Sequence, residues 1–319
     1  NKNDPLQSLL VVGGGTAGWL SALYADAMLN RFQQRVVIRV IDSSEIGIVG
    51  VGEATVHSIR YFLQQLNIDE DEFIAATDAT YKLGIRFDNW RKPVQGKTHS
   101  YWHPFDMQLA SFQGFDVAEL WHYLQSRQPE TTLSFAALAS MSPSLAAEGR
   151  SPKLSSSKAF DAPIPYAYHF DAGKAAAFFK ALALERGVEH VSDTINSIET
   201  TENSINALVG EHGTYQADFF VDCSGFQAKL IKALADDNWL SYERELPCTR
   251  AVAIQTEYHD GESANLYTRS TALSSGWCWQ IHLQHRKGNG YVYDPNHLTP
   301  KQAEQELRQF LKISDAAPA

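Results

Sequence analysis

Gly13, Gly15 and Gly18 are spaced Gly-x-Gly-x-x-Gly immediately after the apolar run Leu9-Leu10-Val11-Val12. A helical stretch from Ala17 to about Asn30 follows. A second apolar run, Val36-Val37-Ile38-Arg39-Val40-Ile41, then ends at Asp42. Strand, glycine turn, helix, strand and terminal acid form a βαβ unit that suits a dinucleotide. Gly13 permits the tight turn, Gly15 lets the backbone approach a pyrophosphate, and Gly18 lets helix and strand pack closely. Unpaired N–H groups and the dipole at the helix start favour phosphate charge. Asp42 is then placed to bond a ribose hydroxyl. The competing reading is a glycine-rich turn in an α/β domain without a ligand.

The chain has 319 residues, enough for one large or two ordinary domains. Its hydrophobic share of 44% and charged share of 20% are those of a globular protein. A formal net charge of −10 disfavours nucleic acid and anionic membranes as partners. No apolar run reaches the roughly eighteen residues of a membrane span. Residues 1–5 lead almost directly into the first strand, so the expectation is a chain without a signal peptide. Cys223, Cys248 and Cys278 are far apart, odd in number and lack metal-ligand spacing. A cytoplasmic location and no metal are expected. His282 and His285 are read as lying on opposite strand faces rather than as ligands.

Val56, Ile59, Leu63 and Leu66 recur at helical spacing, and Asp69 with Glu72 suits a capping box. Leu83, Ile85 and Phe87 alternate with Lys82, Gly84 and Arg86, as in one half-buried strand. Spacing alone makes Lys82 a surface lysine. Residues 98–165 are less regular, with mobile loops expected around 148–158. A helix from Ala172 to about Arg186 ends at Gly187, and a short strand, Val188 to Val191, follows. Residues 197–205 suit a hairpin. Phe219-Phe220-Val221 reads as a buried strand returning to the nucleotide sheet, with a helix from about Gln227. Thr299, Pro300 and Gln302 open a helix whose apolar stripe is Ala303, Leu307, Phe310 and Leu311.

The glycine run does not separate NAD from FAD. Beyond Asp42 a second glycine-rich loop, residues 43–55, feeds a second helix. Gly13-Gly14-Gly15-Thr16-Ala17-Gly18-Trp19 together with Gly50-Val51-Gly52-Glu53-Ala54-Thr55 resembles the flavin-dependent tryptophan halogenase family. Tyr168-His169-Phe170-Asp171-Ala172, Leu246-Pro247-Cys248-x-Arg250-Ala251-Val252-Ala253 and Gly276-Trp277-x-Trp279-x-Ile281 resemble further segments of that family, in order. The resemblance implies an α/β fold, Rossmann-like and of the glutathione-reductase type. It has three layers and an inserted substrate-side region. The expected division is 1–97 for the FAD-binding βαβ and catalytic-lysine segment and 98–165 for the insertion. Residues 166–240 return to the FAD-binding domain. Residues 241–319 form a substrate-side sheet with the Trp-x-Trp strand and a terminal helix. Family members continue well beyond this point; two readings stay open, a sequence that is truncated here and a protein that lacks those parts.

The resemblance also assigns roles. Reduced FAD, oxygen and chloride or bromide yield a hypohalous acid, and Lys82 matches the lysine that holds this oxidant beside an electron-rich ring. An ammonium donates three hydrogen bonds, and a desolvated amine can form a haloamine. The candidate cofactor residues are Gly13, Gly15, Thr16, Ala17, Gly18, Asp42, Glu53, Ala54 and Val191. His103 and Phe105 match a substrate-contacting pair, since an aromatic wall binds a flat ring by stacking. A loop histidine and a packing phenylalanine are the bland alternative. Trp277 and Trp279 share a strand face and match a wall beside the flavin. A pair of core aromatics is the alternative. His282 stands where the family has proline. His169 and Asp171 suggest a dyad, with helix capping by Asp171 as the simpler reading. One dinucleotide fingerprint leaves no site for NADPH, so reduced FAD is expected from a separate reductase in a transient encounter. A homodimer is compatible. The expected substrate is indole- or tryptophan-like. Two other readings stay open: a flavin-dependent aromatic monooxygenase, and a flavin-binding protein without halogenase activity.

Overall fold

A computed structural model describes residues 5–32, 35–43, 50–93, 96, 98–106, 111–129, 134–202, 204–234 and 239–314. The chain begins β1 (Ser8–Val12), α1 (Thr16–Leu29), β2 (Val37–Asp42), β3 (Glu53–Ala54), α2 (Ile59–Gln65), α3 (Glu70–Ala76), β4 (Thr80–Lys82), β5 (Gly84–Asp88) and β6 (Ser100–Pro104). It continues through β7 (Ser111–Phe112), β8 (Phe115–Asp116), α4 (Val117–Arg127), α5 (Phe135–Ala139), α6 (Ser142–Ala147), β9 (Ala167–Phe170), α7 (Ala172–Glu185) and β10 (Glu189–Ser192). Next come β11 (Ile195–Thr201), β12 (Ser204–Gly210), β13 (Thr214–Tyr215), β14 (Phe219–Asp222), a 3-10 turn at Gly225–Gln227 and α8 (Lys229–Leu234). The last elements are β15 (Arg250–Thr256), β16 (Thr268–Leu273), β17 (Gly276–His282), β18 (Lys287–Tyr293) and α9 (Pro300–Leu311).

Two compact units result. The first is Asn1–Gly50 with Gln65–Ile68 and Ala172–Ser241. It contains a parallel sheet in the order β10-β2-β1-β14. Strand alternation sends Leu10 and Val12 to one face, where Ile41, Ile195, Leu208 and Leu230 complete a core with β11, β12 and α8. Leu9 and Val11 point the other way and are also buried. The helices α1 and α7 bury Trp19, Ala22, Leu23, Ala175, Ala176 and Phe179. Helices, parallel sheet and antiparallel sheet make three layers, as the family resemblance implies. The hairpin of β11 and β12 forms as predicted. Phe219, by contrast, is exposed rather than buried, because β14 lies at the sheet's edge.

The second unit is Val51–Gln64, Asp69–Asp171 and Tyr242–Ala319. These divisions cut across the sequence segments: the Lys82 stretch clusters with later strands rather than with the βαβ unit. The cause is strand pairing. The single strand expected over residues 82–87 is two, separated at Leu83, and each joins a different sheet. β4 pairs with β9 in the order β3-β9-β4, while β5 lies between β16 and β6 in the sheet β15-β18-β17-β16-β5-β6. Leu83 is fully buried and its N–H donates to the Leu266 carbonyl at 2.8 Å, so the break is stabilised. β6 makes the start of the expected insertion part of this large sheet.

Three smaller expectations also change. Val56 lies outside α2 and is exposed, whereas Leu63 and Leu66 are buried. Glu53 and Ala54 occupy a short strand paired with Phe170 and His169, not a loop. The segment expected to be mobile is tied down by Lys153, which donates to the buried Glu70 carboxylate. Residues 44–49 of the second glycine-rich loop lie outside the described residues. At the far end, Thr299 and Gln302 form the predicted capping box, and α9 buries Ala303 and Leu307 against Ile254, Cys278, Tyr291 and Tyr293. No helix among the described residues is long and apolar enough to cross a membrane.

Candidate active site

In the first unit, the three glycine roles have separate physical causes. Gly13 has φ 116°, and a Cβ there would lie 2.2 Å from the Cys223 carbonyl oxygen. A Cβ on Gly18 would meet the Gly13 carbonyl oxygen at 1.8 Å, so helix and turn touch through backbone. Gly15 differs: a Cβ would meet nothing within 4 Å. It caps α1 without a side-chain hydrogen bond to the helix amides. Uncapped amides beside open space fit a dinucleotide pyrophosphate. Thr16 donates to the Ala172 carbonyl at 3.2 Å, joining α1 to the start of α7, and Ala17 is exposed at the helix start.

Asp42 ends β2 beneath this turn. A Cβ on Gly14 would meet its carboxylate oxygen at 1.8 Å, so the glycine between the fingerprint positions is required as well. The other Asp42 oxygen is 2.7 Å from His190 Nε2. His190 packs against the buried Trp19 with ring centroids 5.4 Å apart, and Lys180 Nζ lies 5.5 Å from the Trp19 centroid. Val191, next to His190 on β10, pairs with Ile41 and packs on the sheet core. Gly14 and His190 were missed by sequence reasoning. Gly14 was visible within the motif. His190 is 148 residues from Asp42 and had no local signal.

The second unit places Lys82 in a different setting from the surface position suggested by spacing. It is 3% exposed. It ends β4, opposite Ala167 of β9, and its Nζ donates to the Thr55 carbonyl at 2.8 Å. Nζ also lies 5.4 Å from the centroid of the Phe105 ring, which is half-buried. His57 packs on that ring with centroids 5.6 Å apart. Burial disfavours the ammonium and lowers the Lys82 pKa to about 8. An amine at this position can change protonation near neutral pH, which a solvated lysine cannot.

Behind it, β9 supplies a rigid backing. His169 is fully buried, with Nε2 2.8 Å from Thr268 Oγ1. Burial first, then the charges of Lys82 and His282, push its pKa well down and keep the ring neutral. Tyr166 and Tyr168 both donate to Glu70. Burial raises the Glu70 pKa, but hydrogen bonds from Lys153, Tyr166, Tyr168 and the Phe160 amide outweigh it and lower the carboxyl overall. Asp171 pairs with Arg286 at 2.7 Å. The suggested His169–Asp171 dyad therefore resolves into separate structural partnerships.

Other predicted residues divide. Phe105 meets Lys82, while His103 is an exposed β6 residue opposite Ile85. Trp277 and Trp279 lie on one face of β17, with ring centroids 6.3 Å apart, and both are half-buried. They are not enclosed core aromatics. Cys278 between them faces the α9 core. A Cβ on Gly290 would strike the Trp279 ring at 2.0 Å, so that indole packs directly against the β18 backbone at Gly290. His282 is buried, its Nδ1 accepts from the Asn265 amide at 3.1 Å, and burial lowers its pKa to about 4. Asp193, Glu211 and His212 bring ligand atoms within 4.8 Å of one another. The Asp193 oxygens already accept from Tyr215, His212 and the Glu211 and Thr194 amides, which makes this a turn-stabilising cluster.

The tryptophan halogenase family model matches residues 8–319. The chain belongs to the tryptophan halogenase family. It is 36% identical to tryptophan 6-halogenase SttH of Streptomyces toxytricini, covering 98% of this chain and 61% of that relative. It is 32% identical to tryptophan 7-halogenase RebH of Lentzea aerocolonigenes, over 95% of this chain and 58% of that protein. The solved tryptophan halogenase of Shewanella frigidimarina superposes with a TM-score of 0.88 at 31% identity, over 98% of this chain and 60% of the other. The chain thus spans about three fifths of the length of these halogenases.

Proposed function

We propose that the complete protein is a flavin-dependent halogenase acting on an electron-rich aromatic, indole- or tryptophan-like, with Lys82 delivering the oxidant. The observation that carries this reading is the buried Lys82 amine, held at the Thr55 carbonyl and facing the Phe105 ring. When bound, reduced FAD supplies the electrons with which oxygen and a halide ion give hypohalous acid. Gly13, Gly15, Thr16, Ala17 and Gly18 offer the pyrophosphate turn, Asp42 the ribose acceptor, and Glu53, Ala54 and Val191 complete the proposed cofactor set.

Lys82 can act in either protonation state. As an ammonium it donates to the oxygen of the hypohalous acid and orients the halogen. As an amine it takes up halogen at nitrogen and releases water. With a pKa of about 8, about a tenth of the population is amine at pH 7. Phe105 and His57 provide apolar and aromatic contact for a flat ring, with His103 at the rim. Trp277 and Trp279 form the wall that keeps organic substrate from the flavin. Reduced FAD comes from a separate reductase in a transient encounter, and the protein works in the cytoplasm.

The discriminating experiment gives the full-length protein reduced FAD, oxygen, chloride or bromide and a panel of indoles. Halogenated product that requires halide is expected. Oxygenated product, with or without halide, would replace this reading with a monooxygenase. Bound FAD with no product would replace it with a flavin-binding protein.

A further inference from the structure

We propose that Thr55 is a positioning residue for Lys82: its side chain fixes the backbone carbonyl that accepts the lysine's hydrogen bond. This rests on the role proposed above for Lys82. Thr55 follows β3 and extends its pairing with β9. Its N–H donates to the Tyr168 carbonyl at 3.0 Å. Its Oγ1 donates to the same carbonyl at 2.9 Å and accepts from the Tyr168 amide at 3.1 Å. Hydroxyl and backbone together therefore grip both polar groups of one residue. The Thr55 carbonyl points instead to Lys82 Nζ, at 2.8 Å.

The arrangement has a chemical consequence. A carbonyl is an acceptor only, so it favours the ammonium and opposes the desolvation that favours the amine. This carbonyl engages one N–H of the ammonium, which has two more to offer the oxidant. Tyr168 cannot move freely to follow Thr55. It is fully buried, and its hydroxyl donates to Glu70 Oε1 at 2.6 Å. The grip thus transmits the rigidity of the Glu70–tyrosine cluster to the lysine. Among the described residues, His169 on β9 is a titratable group that feels the Lys82 charge, and burial holds it neutral.

The test uses full-length protein and the variants Thr55→Val, Thr55→Ala and Thr55→Ser. Competitive acetic anhydride labelling, read by mass spectrometry at the Lys82 peptide across pH, gives the lysine's titration without any turnover. Thr55→Val, which keeps the branched shape, and Thr55→Ala should each lower the Lys82 pKa by about one unit by loosening the carbonyl. Thr55→Ser should restore it to within about 0.3 units, since it keeps the hydroxyl. Unchanged titration in folded Thr55→Val would overturn the proposal, as would equal shifts in the Val and Ser variants. Failure of both Val and Ala variants to fold would assign Thr55 to the framework alone and also overturn it. The same variants assayed for bromination should show a pH profile displaced with the labelling curve. A displaced labelling curve in a protein that brominates nothing would sustain the positioning role and refute the proposed function.

Discussion

The glycine turn and the lysine pocket reach functional geometry by opposite routes. At the turn, backbone does the work: removing side chains at Gly13, Gly14 and Gly18 lets peptide groups and the Asp42 carboxylate approach one another. At the pocket, a long cationic side chain is forced into a dry position between strands distant in sequence. The turn costs little, since glycine tolerates its torsions. The pocket costs stability, since a desolvated ammonium is disfavoured in the fold. The comparison teaches that the first region should fail by steric clash when filled, and the second should become more stable when its chemistry is removed.

The largest effect expected is at Gly18. A valine there would drive its Cβ into the Gly13 carbonyl, which is backbone and cannot rotate away. Gly18→Val should cost more than about 4 kcal/mol and lose the cooperative thermal transition. Gly15→Ala sharpens the contrast, because its Cβ enters open space. That variant should stay within about 1 kcal/mol of the parent in denaturant titration. It should nevertheless bind FAD at least about tenfold more weakly by calorimetry, because a methyl group would stand where the pyrophosphate approaches. Equal stability losses for the two glycines would break the account of the turn.

The pocket predicts a gain. Lys82 has a folded pKa of about 8 against an ordinary 10.5. The unfolded chain therefore holds the proton more tightly between these values. Stability should rise with pH across about 8 to 10.5, and the full penalty applies below 8. Replacing the amine in Lys82→Met should add about 2 kcal/mol at pH 7, after the lost bond to Thr55 is offset. It should also flatten stability above pH 8. Urea titrations at pH 7 and 10 would check both. A loss at pH 7 would mean that the ammonium stabilises the fold. The smallest effect belongs to Asp42→Asn, which weakens the acceptor for His190 and for a ribose hydroxyl. FAD affinity should fall about fivefold, and an unchanged affinity would remove Asp42 from the cofactor site.

Legibility follows the same division. The turn could be read locally because strand, glycines, helix and acid are consecutive, and each position has its own steric reason. Its partner His190 could not, because parallel pairing of β10 with β2 joins distant segments. Lys82 illustrates the limit better. Alternation over 82–87 predicted one strand with an exposed lysine, but periodicity does not reveal that the chain passes at Leu83 from a strand of one sheet to a strand of another. Resemblance found the lysine, whereas Thr55 and His57 emerged only with the β3–β9–β4 pairing and the Phe105 contact. The α9 capping box was legible because all its chemistry lies within four residues.

The account turns on Lys82 as the residue that carries the oxidant, and Lys82→Ala in the full-length protein tests this most directly. Parent and variant receive the same reduced FAD, oxygen, bromide and indole, while flavin oxidation and brominated product are followed together. The variant should bind reduced FAD and let oxygen oxidise it at close to the parent rate, yet yield no brominated indole. Bromination equal to that of the parent would contradict the account.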